Sequence, residues 1–158
     1  MGIAIIGMAE DREIPQDREL WGMPWDGEWA SMDVLFDLHA PKDVKDLPYT
    51  QRLPDVWQPL YMQDNFYNTA TRYPIEDAIK IGGDYFSCSI AYMLAFAVIK
   101  KIKDILLVGV TALEAYKHQR PCIEYWVGIG RGLGLKIETQ GGTQLFTGDR
   151  YGYGNIDL

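Results

Sequence analysis

The segment "SIAYMLAFAVIKKIKDILLVGV", Ser89 to Val110, constrains this chain more than any other. Its first part, Ile90 to Ile99, is apolar all round, which is the pattern of a helix buried on most sides. A lysine-rich turn follows, and then "KDILLVGV" (Lys103 to Val110), an apolar run of strand length. A buried helix leading through a short turn into a fully apolar strand is half of a βαβ unit, and it predicts a parallel sheet.

The remaining segments fit that frame. "GIAIIG" (Gly2 to Gly7) reads as a buried first strand ending in glycine. A short strand is predicted within Glu19–Trp25, another within Met32–Pro41, and another within Trp57–Gln63. "DNFYNTATRY" has no clear period, and "PKDVKDLPYTQRLPDV" reads as loop with helical turns. Pro74 suits the first turn of a helix that stops at the Gly82–Gly83 pair. Ser87 or Ser89 starts the long helix, which runs to about Lys101. "TALEAYKHQRPCIEYWVGIGRGLG" holds one interrupted helix or two consecutive ones, with Pro121 at the break or in a first turn. "LKIETQ" reads as the last strand, before a Gly-rich and Tyr-rich tail. The alternation predicts a single α/β domain over residues 1–158 with a mainly parallel sheet. Ligands of such sheets bind outside the carboxyl ends of the strands.

Charge narrows the partners. The chain has 22 acidic and 15 basic side chains, a formal net charge of −7. That balance excludes broad contact with a nucleic acid backbone, which needs a basic face. The longest apolar run, Ile90 to Ile99, is too short to span a bilayer. The N-terminus lacks a basic region before its apolar run, so a secretory signal is not expected. Cys88 and Cys122 are the only cysteines, read as reduced core residues of a cytoplasmic protein. With two histidines and two separated cysteines, no zinc or iron set is expected, and metal ligands are predicted to be none.

Several motifs carry a structural and a chemical reading side by side. Gly7, closing the first strand, either makes a tight turn or lets the backbone approach a ligand; "GMAEDRE" is not the G-x-G-x-x-G fingerprint. Ser87-Cys88-Ser89 either caps the long helix or cradles an anion at its N-terminus. "TALE" (Thr111 to Glu114) is a capping box, or Thr111 and Glu114 face a strand-end cleft. Tyr116 and Arg120 are i,i+4 neighbours if the segment is α-helical, and Arg120 then clamps phosphate or carboxylate. His39 closes a strand, and His39 or His118 is the candidate general base. A pairing of His39 with Glu114 across the cleft would favour catalysis. Trp21, Trp25, Trp29 and Trp57 are candidate interface anchors of a homo-oligomer.

"YFSCSIAYMLAFAVIKKIKDILLVGVTALEAY" resembles the strand–serine–helix–strand segment of a Rossmann-like superfamily. That superfamily includes Campylobacter-type sialyltransferases and the 6-hydroxymethylpterin pyrophosphokinase-like (motility accessory factor) proteins. More of the chain is similar to small phage-encoded proteins, through "IIGMAE", "WGMPW", "DVLFDLH" and "EAYKHQRPCIEYWVGIGRGLG". The resemblance implies a Rossmann-like three-layer fold with a nucleotide cleft. Gly7 and Met8 would lie beside phosphate or ribose, and Ser87, Cys88 and Ser89 would contact the nucleotide at the helix start. Thr111 stands where the family often has Asp, and Tyr116 where it has an aromatic residue. Three departures remove polar contacts: Glu10-Asp11 replaces Pro-Ser, Met23-Pro24 replaces an Asn, and Thr111 replaces the Asp.

The resulting expectation is a phage-type protein that binds a small anionic nucleotide or nucleotide sugar at the N-terminus of the 87–101 helix. It would transfer a glycosyl or phosphoryl-type group. The alternatives are a non-catalytic binder that sequesters a nucleotide signal, as a counter-defence protein would, or a structural interaction protein.

Overall fold

The computed structural model describes residues 2–24, 31–40, 42, 53–140 and 143–148, apart from the side chains of Pro54, Glu114 and Ala115. Its strands are β1 (Ile3–Ile6), β2 (Glu19–Gly22), β3 (Val34–Asp37), β4 (Leu60–Met62), β5 (Ala70–Arg72), β6 (Asp104–Val108) and β7 (Lys136–Thr139). Its helices are α1 (Ile75–Gly82), α2 (Ser89–Ile99) and α3 (Arg120–Gly132), with 3₁₀ turns at Leu53–Asp55 and Glu114–Gln119.

The strands form one seven-stranded sheet in the order β5-β4-β3-β2-β1-β6-β7. Every pairing is parallel; Ile5, for example, stands between Trp21 of β2 and Leu107 of β6. The central strand explains the unbroken "IAII": all four of its residues are buried, because both sheet faces are covered. Ile3 and Ile5 point to the helices, and Ala4 and Ile6 to the opposite layer. β5, at the edge, is the strand that the sequence reading leaves irregular. Its residues are partly or fully exposed, so it carries no apolar pattern.

Helix α2 justifies its apolar circumference. It contacts both α1 and α3, and eight of its eleven residues are buried. Phe96 lies in an aromatic cluster, with ring centroids 5.5 Å from Trp21, 5.5 Å from Phe36 and 4.5 Å from Tyr61. Trp21 is therefore a core residue, 2% exposed, and not an interface anchor. Trp57 is exposed, and Trp25 and Trp29 lie outside the described residues. Helices α1 and α3 meet at Gly82, where an added Cβ would lie 2.5 Å from the Trp126 ring. The Trp126 indole donates to the Tyr85 carbonyl at 2.9 Å, and the Tyr125 hydroxyl to the Gly82 carbonyl at 2.6 Å.

Among the described residues, the three helices α1, α2 and α3 pack on one sheet face. The other face is closed by Met32, Leu53, Val56 and Tyr67, which belong to connecting segments and the Leu53–Asp55 turn. Helices, parallel sheet and this second cover make a three-layer α/β fold of Rossmann-like type. No helix among the described residues is long and apolar enough to cross a membrane.

Candidate functional site

The strand order reverses at β1. The chain steps outward through β2 to β5 on one side, then returns to place β6 and β7 on the other. At such a switch point the loops after neighbouring strands turn to opposite sides and leave a crevice. Here the loops are residues 7–11 after β1 and 109–113 after β6, and between them lies a cavity of about 510 Å³. That volume suits a small molecule, for which sites span about 300–1,000 Å³.

The two loops are joined at their base. The Gly7 amide donates to the Val108 carbonyl at 2.7 Å, and the Ala9 amide to the Gly109 carbonyl at 3.2 Å. A Cβ on Gly7 would sit 2.4 Å from the Gly109 oxygen, so this position is glycine because two backbones touch. Gly109 has φ +65, and Arg12, whose guanidinium donates to the Ala9 carbonyl at 2.5 Å, packs against it. The β6 loop is held from outside as well. The Thr143 hydroxyl donates to the Val110 carbonyl at 2.9 Å, and the Gln144 amide to the Thr111 carbonyl at 2.8 Å.

The cavity walls are apolar: Met8, Met23, Val110, Ala112 and Leu113 from the strand ends, with Ile90 of α2 and Ile123 of α3. Tyr116 lines it from the 3₁₀ turn, and Gln119 and Thr111 add neutral polar groups. Glu10 and Asp11 line it as well and are exposed to solvent. Among the described lining residues there is no lysine, arginine or histidine.

Of the residues selected from sequence, the structure brings Gly7, Met8, Thr111 and Tyr116 together around this cavity. Ser87, Cys88 and Ser89 do not line it, although the next residue, Ile90, does. Neither serine caps α2; Cys88 is the N-cap, with extended backbone and no side-chain capping hydrogen bond. The Ser87 amide donates instead to the Cys122 sulfur at 3.3 Å, and Cys122 donates to the Tyr85 carbonyl at 3.2 Å. The Cys88 thiol is pushed up by its hydrogen bond to Cys122 and by burial, so it stays protonated. Both cysteines are free thiols.

"TALE" does not form a capping box either. The 3₁₀ turn begins at Glu114 with Leu113 as its N-cap, which leaves Thr111 facing the cavity. Because 3₁₀ winding has about three residues per turn, Tyr116 and Arg120 do not share a face. Arg120 points away from the cavity lining: its Nε donates to Glu124 at 2.8 Å and its Nη2 to the Thr147 carbonyl at 2.7 Å. His118 is exposed on the 3₁₀ turn, outside the lining. His39 sits just past the end of β3, where its Nδ1 lies 2.6 Å from the buried Asp37 carboxylate. The side chain of Glu114 lies outside the described residues.

Met23, Ile90, Gly109 and Ile123 are cavity residues that sequence reasoning does not select. Gly109 has a visible signal, since it closes the apolar run of β6 as Gly7 closes that of β1. Ile90 and Ile123 have none, because an apolar helix position facing a cavity reads as core. Among the described residues no group of three or more His, Cys, Asp or Glu side chains could hold a metal ion. Comparison with family models, curated proteins and solved structures finds no match to this chain.

Proposed function

We propose that this protein binds a small nucleotide-type ligand in the cavity between the carboxyl ends of β1 and β6. The observation that carries this reading is the position of the cavity: it opens where the strand order reverses, the usual ligand position in a doubly wound sheet. Its apolar walls and the Tyr116 ring suit a planar base.

Binding without turnover is the favoured form of this reading, ahead of group transfer. A transferase needs a base within reach of the acceptor. The described lining contains no histidine, and His39, paired with Asp37, lies just past the end of β3, two strands from β1. The Arg120 guanidinium is engaged by Glu124 and Thr147. A binder of this kind holds a nucleotide-type signal intact, as a sequestering counter-defence protein does.

A thermal-shift screen against nucleosides, nucleotides, cyclic nucleotides and nucleotide sugars tests the reading. A ligand at 100 times its Kd adds about 2.7 kcal/mol of stability. Chromatography then follows the ligand during long incubation with sugar and hydroxyl acceptors. Binding with full recovery is expected. Turnover would replace the binder by the transferase, and the absence of any shift would remove both.

A further inference from the structure

Resting on the reading of the cavity as a nucleotide-type site, we infer that it takes a nucleoside whose 5′ substituent is neutral or cationic, and that it rejects nucleoside polyphosphates. The charge of the lining is the first ground. Among the described lining residues the ionisable carboxylates are Glu10 and Asp11, and no basic side chain accompanies them. A polyphosphate would bring several negative charges beside two more, against apolar walls that screen them less than water does. The chain's net charge of −7 adds to the repulsion.

The second ground is the fate of the usual anion cradles. In a βα phosphate site, free amides at a helix N-terminus or a glycine-rich turn replace the missing cations. At α2 the Ser87 amide is directed to the Cys122 sulfur, and the Ala91 amide donates to the Cys88 carbonyl. After β1, the Gly7 and Ala9 amides donate to the Val108 and Gly109 carbonyls. The Gly7 and Ala9 amides hold the two loops together, and those of Ser87 and Ala91, around the start of α2, have acceptors of their own.

Each lining group has a role for the ligand just described. A base fills the apolar body of the cavity beside Tyr116. The Glu10 and Asp11 carboxylates accept hydrogen bonds from ribose hydroxyls or attract an ammonium or sulfonium group.

Equilibrium dialysis of the full chain tests this directly. The probes are adenosine, guanosine, cytidine and uridine, their 5′-amino-5′-deoxy derivatives, and their 5′-triphosphates, at low salt without magnesium. In the base series that binds, the amino derivative is expected to exceed the triphosphate in affinity by about tenfold or more. The gap should narrow in 1 M salt, where the screening length falls to about 3 Å. It should also narrow in Glu10→Gln/Asp11→Asn, which alters two exposed side chains and whose fold is checked by its melt. A triphosphate that binds as tightly as the amino derivative of the same base overturns the inference while leaving the nucleotide reading in place. A gap unchanged in the double variant also overturns it, because the selection then does not come from these carboxylates. If no probe binds at millimolar concentration, both readings fail together.

Discussion

Gly7 and Gly109 meet backbone to backbone at the base of the cavity: a side chain on Gly7 would stand 2.4 Å from the Gly109 carbonyl oxygen. The contact sets the distance between the β1 and β6 loops and so the shape of the cavity above them. Gly7→Ala should cost about 2 kcal/mol or more, because backbone cannot rotate away as a flexible side chain can. Urea denaturation measures the loss. A variant as stable as the wild type would show that the two loops are free to separate.

Gly82 and Gly128 make a matched pair of opposite sign. At Gly82 an added methyl would meet the Trp126 ring at 2.5 Å and Ile129 at 2.6 Å, so Gly82→Ala should destabilise by about 1–3 kcal/mol. At Gly128, in the interior of α3, an added Cβ meets nothing within 4 Å. Gly128→Ala should therefore stabilise by about 0.5–1 kcal/mol, the helix propensity difference. Thermal melts of the two variants distinguish them, and shifts of the same sign would refute the α1–α3 packing.

Phe96 joins α2 to β2, β3 and β4 through Trp21, Phe36 and Tyr61. Phe96→Ala leaves a cavity among these rings and should cost about 3–5 kcal/mol. Near-ultraviolet circular dichroism should lose intensity as well, since the rings lose their fixed packing. Phe96→Leu should recover part of the stability; equal losses in the two variants would argue against a void as the cause.

Arg18 and Asp104 join the start of β2 to the start of β6 at 3.0 Å. The hydrogen bond from Arg18 holds the Asp104 carboxyl below the usual carboxylate range. A depressed folded-state value gives stability that is present above the unfolded-state value and is lost as pH falls through the folded one. Asp104→Asn should therefore be less stable than wild type at neutral pH, and the difference should close as pH falls through and below the ordinary carboxylate range. Because Asp104 is 41% exposed, the effect is small and weakens with salt. A difference that stays constant across this range would contradict the ion pair as its source.

The parts of this fold that are legible in the sequence are those with strong apolar patterns. "IAII", "VLFD" and "DILLV" lie on the parallel sheet as expected, and "SIAYMLAFAVI" is the buried helix between two others. β5 escapes because an exposed edge strand has no pattern to detect. The site is legible only in part. Gly7 and Thr111 are found because the rule about strand ends needs only the strands. The Ser87-Cys88-Ser89 cap is misread because local propensity favours serine at the N-cap, whereas tertiary contact with Cys122 directs the Ser87 amide to sulfur. Arg120 lies off the cavity lining, bonded to Glu124, and a 3₁₀ turn replaces the α-helix that the i,i+4 spacing assumes.

The most direct measurement of the ligand site is an amide chemical-shift titration. The uniformly ¹⁵N-labelled protein is titrated with each nucleoside and its 5′-monophosphate. Shifts concentrated at residues 7–11, 109–113, Tyr116 and Gln119, with Ser87, Lys117, His118 and Arg120 less affected, are the predicted result. Shifts concentrated at Ser87 to Ser89, at the His39 end of β3, or nowhere would contradict the assignment of the cavity between β1 and β6 as the ligand site.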